Sequence, residues 1–260
     1  MLSEIVFVRH YIYSIFIKTR NNMKLDILAV GAHPDDVELG CGATIAKEIS
    51  LGKRVGILDL TRGELGTRGS AEIRKNEAQK ATEILGVEVR ENLGFADGFF
   101  VNDKEHQLKV IEIIRKYRPE IVLCNAVDDR HLDHGKGSKL VSESCFLSGL
   151  VKIKTRYEGK DQEAWRPKHV YHYIQWKNIE PDFVVDVGDF IHVKMDSVKA
   201  YTSQFYDPDS KEPVSPISSK NFLDSIIYRA QDLGRLTGTD HAEGFTVERY
   251  VAVKNLDDLI

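Results

Sequence analysis

Cysteine is scarce in this sequence: three residues in 260, and Cys41, Cys124 and Cys145 form no CxxC pair. That scarcity excludes a disulfide framework and reads as a reduced, cytoplasmic chain. Cys124 and Cys145 are expected as small core residues. An excess of positive charge is missing as well. The 36 Lys and Arg against 40 Asp and Glu leave a formal net charge of −4, and the isoelectric point falls near 6.2. A phosphate backbone calls for a basic face, so a nucleic-acid partner is excluded and a small molecule is expected. No apolar run is long enough to span a bilayer. The first 22 residues, MLSEIVFVRHYIYSIFIKTRNN, come nearest, yet Arg9 and His10 interrupt them and no small-residue cleavage site follows. Neither a membrane span nor a secretory signal is expected. Met23 stands directly before the first well-formed strand pattern. Residues 1–22 are therefore read as an extension, either upstream sequence translated from a mis-assigned start or an added edge strand or surface helix. Residues 23–260 are expected to form a single domain, without repeats or low-complexity tracts.

What the chain does have is alternation between short apolar strands and longer amphipathic helices. LDILAVG (25–31), RVGILDL (54–60), VEVRENL (87–93) and EIVLCNA (120–126) read as strands. CGATIAKEIS (41–50), SAEIRKNEAQKATEILG (70–86) and LKVIEIIRKYRP (108–119) read as the helices between them. In the second helix Ser70 is the expected N-cap and Gly86 the stop, with Ile73, Ala81, Ile84 and Leu85 on one side. This order implies a Rossmann-like α/β fold, a mostly parallel sheet flanked by helices on both faces. Beyond Leu150 the regularity changes. KHVYHYIQW (168–176), DFVVDV (182–187) and FTVERYVAV (245–253) look like strands, and residues 191–205 and 218–236 like helices. These C-terminal elements are expected to complete the site. The Pro-, Ser- and Asp-rich stretch 206–218 reads as an exposed loop, either a lid or a plain connection.

Two segments carry more chemistry than a turn needs. GAHPDDVELG (31–40) groups His33, Asp35 and Asp36 behind the first strand, and DDRHLDHGKG (128–137) groups His131, Asp133 and His134 on a loop behind the fourth. In a sheet of order 3-2-1-4 those two strands are neighbours, and ligands bind in the crevice at their carboxyl ends. Imidazole and carboxylate ligands without thiolates suit zinc, with iron(II), cobalt and manganese as competitors. Adjacent side chains in a tight turn diverge, so one of Asp35 and Asp36 is expected to bind metal and the other to act as base. Spacing leaves open which does which. No G-x-G-x-x-G follows the first strand, and two anions occupy its turn, which argues against a pyrophosphate-binding module. A metal-dependent phosphoesterase is the rival enzyme and would require two metals.

At these residues the sequence resembles the PIG-L (LmbE-like) family of zinc-dependent sugar N-deacetylases, on AHPDD (32–36) and HLDH (131–134). The resemblance implies that His33, Asp36 and His134 bind one zinc ion per subunit and that Asp35 is the general base. It also implies that His131, oriented by Asp133, stabilises the oxyanion or protonates the leaving amine. TRGELGTRGSAEIR (61–74) is similar to the family's Gly-rich substrate loop, which makes Arg68 the expected substrate contact, with Arg62 or Arg74 as alternatives. Family members often carry tyrosine where His241 stands, so His241 is expected near substrate as a second acid or oxyanion donor, or else as a structural residue. VELGCG, TRGELGTRG and HAEGF are most similar to the bacillithiol-biosynthesis branch, which implies N-acetylglucosaminyl-malate as substrate and glucosaminyl-malate plus acetate as products. Diacetylchitobiose or another N-acetylglucosaminide is the alternative. The same branch implies a homo-oligomer, possibly a hexamer.

Overall fold

The computed structural model describes residues 23–258. The expectations for residues 1–22 lie outside them. In chain order the elements are β1 (Ile27–Gly31), α1 (Asp36–Ser50), β2 (Val55–Thr61), α2 (Ala71–Leu85), β3 (Val89–Phe95), α3 (Lys104–Tyr117), β4 (Ile121–Cys124) and α4 (Leu132–Ser148). A small hairpin follows, β5 (Arg156–Tyr157) and β6 (Lys160–Asp161). The chain continues through β7 (His169–Tyr173), β8 (Phe183–Asp186), α5 (Ile191–Lys199), α6 (Lys220–Thr237) and β9 (Ala242–Val247). Seven strands form one sheet of order β3-β2-β1-β4-β7-β9-β8. Its first five strands are parallel and β9 runs against both of its neighbours.

Strand periodicity explains the layers. All five residues of β1 are buried, as expected for a central strand covered on both faces. Leu28 and Val30 pack on one side with Val110, Ile114, Leu140, Val141 and Cys145 of α3 and α4. Ile27 and Ala29 face the other way, among Val37 and Ile45 of α1, Leu85 of α2, Tyr173 and Phe245. A further apolar layer joins Ala78 and Ala81 of α2 to Val198, Tyr201, Phe205 and Ile226. Cys124 and Cys145 are core residues as expected, and so is Cys41. Among the described residues no helix is long and apolar enough to cross a membrane.

Several boundaries differ from the sequence reading, each for a physical reason. The first helix starts at Asp36 rather than at residue 41, with a break at Cys41 (φ −145°, ψ 23°). The amides freed there are taken up by Glu243 on β9, whose carboxylate accepts from Ala43 N (3.2 Å) and Thr44 N (2.7 Å) and from Lys194 Nζ (2.6 Å). A cap supplied 200 residues away leaves no local signature. The segment beginning at Leu132 is helix rather than loop. Within it Gly137 packs closely, since a Cβ there would lie 3.2 Å from Leu60 Cδ1. The last strand begins at Ala242 instead of 245, because Asp186 to Phe183 of β8 pair with it, and residues 248–253 are irregular. Helix α2 has the expected caps at Ser70 and Gly86, but Ile73 and Ile84 are exposed and its buried side is Ala78, Ala81 and Leu85. The helix after β8 stops at Lys199 rather than 205.

Gly40 offers a test of the packing. It sits mid-helix in α1 against Tyr173, a fully buried ring whose hydroxyl donates to Val30 O at 2.9 Å. A Cβ at Gly40 would overlap that ring, at 2.6 Å from Cε2 and 2.8 Å from Cγ. Alanine gains about 1 kcal/mol of helix propensity, while overpacking a pinned core ring costs typically 1–3 kcal/mol or more. The overlap puts the cost at the upper end of that range, so Gly40→Ala is expected to destabilise by about 2 kcal/mol net, read as a lower urea midpoint at unchanged m-value.

Candidate metal and acid–base centre

Both motif segments lie at the carboxyl ends of neighbouring parallel strands, with β1 paired to β4 through Ile27–Ile121 and Ala29–Leu123. Behind β1 the chain turns through His33, Pro34 and Asp35 into α1. Asp35 has φ 113° and caps that helix without a side-chain hydrogen bond. A non-glycine residue at positive φ costs of order 1–3 kcal/mol, and such strain clusters at functional sites. Behind β4, His131 is the N-cap of α4, which puts His134 in the helix's first turn.

The turn and the helix start bring three of the expected residues together around one carboxylate. Asp36 Oδ2 lies 3.5 Å from His33 Nδ1, and Asp36 Oδ1 lies 3.1 Å from His134 Nε2. The far nitrogen of each imidazole is held by a further carboxylate. His33 Nε2 is 3.0 Å from Asp97 Oδ1 and 3.4 Å from Asp133 Oδ2, while His134 Nδ1 is 2.6 Å from Asp129 Oδ2. Inward nitrogens beside a shared carboxylate, with outward nitrogens tied to carboxylates, form the pattern that orients histidine ligands around a metal. Nitrogens of His33, His131 and His134 lie within 4.8 Å of one another, and His33, Asp97 and Asp133 form a second such group. Both contain His33, and the second consists of that ring and the two carboxylates that face its outward nitrogen.

Electrostatics test the fit to a cation. Burial disfavours a charged His33, yet Asp133, Asp36 and Asp97 outweigh it and hold its pKa well above the usual value. Burial likewise opposes charge on His134, and Asp36 and Asp129 override it, raising that ring to about 9. Burial would raise Asp36, but His134 and His33 keep it well below the normal carboxylate range. Protons on two imidazoles thus neutralise a surplus of carboxylates, and a divalent cation displaces such protons when it binds. The donor set fits a metal with nitrogen and oxygen ligands.

The remaining residues take distinct places. Asp35 lines the cavity over this centre and accepts from Arg74 Nη2 at 2.7 Å. Arg74 also bonds Pro34 O and Gly63 O, so it anchors the turn rather than waiting for substrate. Burial raises the Asp35 pKa to about 7 despite that guanidinium. His131 Nδ1 accepts the Asp133 backbone N–H at 3.3 Å, which leaves Nε2 to carry the proton of a neutral ring. Burial, then the charges on His33 and His134, lower the pKa of His131. The Asp133 carboxylate does not reach His131. It accepts from Gly98 N (2.7 Å), lies 2.7 Å from Lys136 Nζ as an ion pair, and faces His33.

A cavity of about 350 Å³ opens over this cluster, lined by His33, Asp35, Asp36, His131 and His134 and walled further out by Trp176, Phe222 and Arg229. Arg68 lines it too, but its guanidinium bonds Gln204 O, Phe205 O and Ser210 Oγ, tying the Gly-rich loop to the chain beyond α5. Ser215, Pro216 and Ile217 of the 206–218 stretch form part of the wall. His241 stands at the start of β9, its backbone O accepting from Val187 N, and it is not among the lining residues. Sequence reasoning missed Asp97, Asp129 and Arg229. Asp129 lay inside the quoted DDRH stretch, whereas Asp97 and Arg229 are isolated residues that only the fold brings to the site.

An imidazole–carboxylate centre at the carboxyl ends of parallel strands has the donor set of a metal-assisted active site. The profile of the PIG-L family, described as GlcNAc-PI de-N-acetylase, matches residues 28–145. A diacetylchitobiose deacetylase from Thermococcus kodakarensis is 30% identical over 84% of this chain and 81% of its own. A mycothiol S-conjugate amidase from Streptomyces coelicolor is 29% identical over 57% of this chain and 60% of its own. The solved structure of the conserved protein TT1542 from Thermus thermophilus is 35% identical, covers 89% of this chain and 98% of its own, and superposes with a TM-score of 0.80. The chain belongs to the PIG-L family of N-deacetylases, hydrolases of the amide C–N bond in which metal dependence is typical.

Proposed function

We propose that the protein removes the acetyl group from an N-acetylglucosaminide with an acidic aglycone, N-acetylglucosaminyl-malate first among them, giving glucosaminyl-malate and acetate in bacillithiol biosynthesis. The observation that carries the hydrolytic reading is Asp36 lying between His33 and His134, each imidazole backed by a carboxylate. These three residues would hold one zinc ion, with iron(II) as the competing metal. When bound, the metal polarises the acetamide carbonyl and makes the attacking water more acidic. Asp35 accepts the proton of that water as its oxygen adds to the carbonyl carbon. His131, with Nε2–H as donor, hydrogen-bonds the carbonyl oxygen as it gains charge. The C–N bond then breaks, and the proton held by Asp35 passes to the departing amine.

The acidic aglycone is supported by arginines with donors to spare. Arg229 gives Nη2 to Trp176 O at 2.8 Å, and its buried Nε has no partner. Arg130 lies over the same Trp176 ring at 4.6 Å. Arg68, its donors engaged by the protein, is the weaker candidate for the carboxylates. Diacetylchitobiose, the substrate of the Thermococcus relative by its name, carries no anionic group for these cations. Acetate release measured on both compounds, before and after chelation, tests the proposal. The malate conjugate is expected to have the higher kcat/KM, with loss of turnover on chelation and recovery with Zn2+. Chelator-resistant turnover overturns the metal assignment, and a preference for diacetylchitobiose overturns the acidic aglycone.

A further inference from the structure

Two buried amides meet at the Asp36 carboxylate, and neither takes part in the chemistry described above. Asn125 follows β4 directly, and Gln175 lies two residues beyond β7, the strand paired with β4. Both are buried, at 1% and 6% exposure. Asn125 Nδ2 donates to Asp36 Oδ2 at 3.0 Å, and Gln175 Nε2 donates to Asp36 Oδ1 at 2.9 Å. The amides also bond each other, Asn125 Nδ2 to Gln175 Oε1 at 2.8 Å. Their orientation is fixed by donor and acceptor logic. Asn125 Oδ1 accepts the Ala32 backbone N–H at 2.8 Å, so its Nδ2 must face Asp36. Because Gln175 Oε1 takes up that same Nδ2, its own Nε2 must also face Asp36. The His33 backbone N–H is a third donor to the carboxylate and the second to Oδ2, at 2.9 Å.

We infer that Asn125 and Gln175 are positioning residues for metal binding, a clamp that fixes the Asp36 carboxylate through both oxygens. The inference rests on Asp36 being a ligand. A carboxylate held only by its own χ angles can rotate, so a cation must order it on binding. With each oxygen anchored by an amide, rotation is blocked before the cation arrives and the ordering cost is already met by the fold. The clamp also occupies a lone pair on each oxygen, which disfavours chelation through both and favours ligation through one. Asn125 and Gln175 depend on one another for orientation, so they act as a pair. Hydrogen-bonding to the turn through Ala32 N, the pair ties the ends of β4 and β7 to the segment carrying His33.

The test is Gln175→Met, which keeps length and bulk while removing the donor to Asp36. Zn2+ dissociation constants come from chelator competition, the Co2+ absorption spectrum reports coordination, and apo-protein melting reports the fold. We expect Zn2+ binding weakened about 10–100-fold, an altered Co2+ spectrum, and apo melting close to wild type. Gln175→Ala, which leaves room for water, serves as the second variant and is expected to weaken Zn2+ binding in the same direction. A folded variant with wild-type Zn2+ affinity and an unchanged Co2+ spectrum overturns the clamp, as does lower melting with unchanged affinity, the signature of a structural role alone. Wild-type protein that binds neither ion overturns the metal centre itself and is distinguishable from both.

Discussion

Asp35→Asn is expected to keep its metal and to lose about 10²–10⁴-fold in kcat, the range that general-base catalysis supplies. Asparagine suits the backbone, because it tolerates positive φ better than most residues and Asp35 sits at 113°. Its amide oxygen can still accept from Arg74 Nη2, so the anchor seen at 2.7 Å survives. Neither imidazole depends on Asp35, since His33 and His134 face Asp36, Asp97, Asp133 and Asp129 instead. What disappears is the group able to take a proton near neutral pH. Burial sets the Asp35 pKa at about 7 against the pull of Arg74. Wild-type kcat/KM is thus expected to fall as pH drops, through a limb at or below about pH 7, because a bound cation draws a neighbouring carboxylate lower. In Asp35→Asn that limb is absent, as an amide does not titrate there. Metal content by elemental analysis and a pH–rate profile check both halves, and wild-type activity in the variant refutes the base assignment.

The parallel half of the sheet was readable because its strands are short apolar runs separated by helices with caps, and Ser70 and Gly86 sit where capping chemistry puts them. The convergence of AHPDD and HLDH was readable too, since it follows from β1 and β4 being neighbours. What escaped was non-local. The break in α1 depends on Glu243, and the strand at Ala242–Val247 on its pairing with β8. The supports of the centre escaped for the same reason. Asp97, Asn125 and Gln175 are single residues after three different strands, and no spacing in the chain marks them as partners of His33 or Asp36. Arginines were the least legible residues of all. The resemblance favours Arg68 over Arg62 and Arg74 in one stretch, and only the fold separates Arg74, which holds Asp35, from Arg68, which ties the Gly-rich loop to the chain beyond α5.

His134→Ala is expected to lose both metal and turnover, and to flatten how the apo protein responds to pH. Removing a ligand should weaken Zn2+ binding by more than the roughly 10–100-fold typical of an outer partner. The apo consequence follows from the imidazole's position between Asp36 Oδ1 at 3.1 Å and Asp129 Oδ2 at 2.6 Å. With the ring gone, two buried carboxylates lose a shared cation, and breaking a buried pair costs about 3–5 kcal/mol. The sign with pH is definite. The folded-state pKa of His134 is raised to about 9 from an unfolded value of 6.5. Its stabilising charge is therefore fully present below pH 6.5 and is lost as pH rises through about 9. Wild-type apo protein should lose stability across that window, while His134→Ala, lower throughout, should lose less. Zn2+ behaves oppositely in the wild type, binding more tightly as pH rises because it no longer has to displace the proton. Urea midpoints of both apo proteins from about pH 6 to 9, paired with Zn2+ titrations of the wild type, measure the two slopes. Parallel apo slopes would mean that the His134 proton does not supply the charge that Asp36 and Asp129 share.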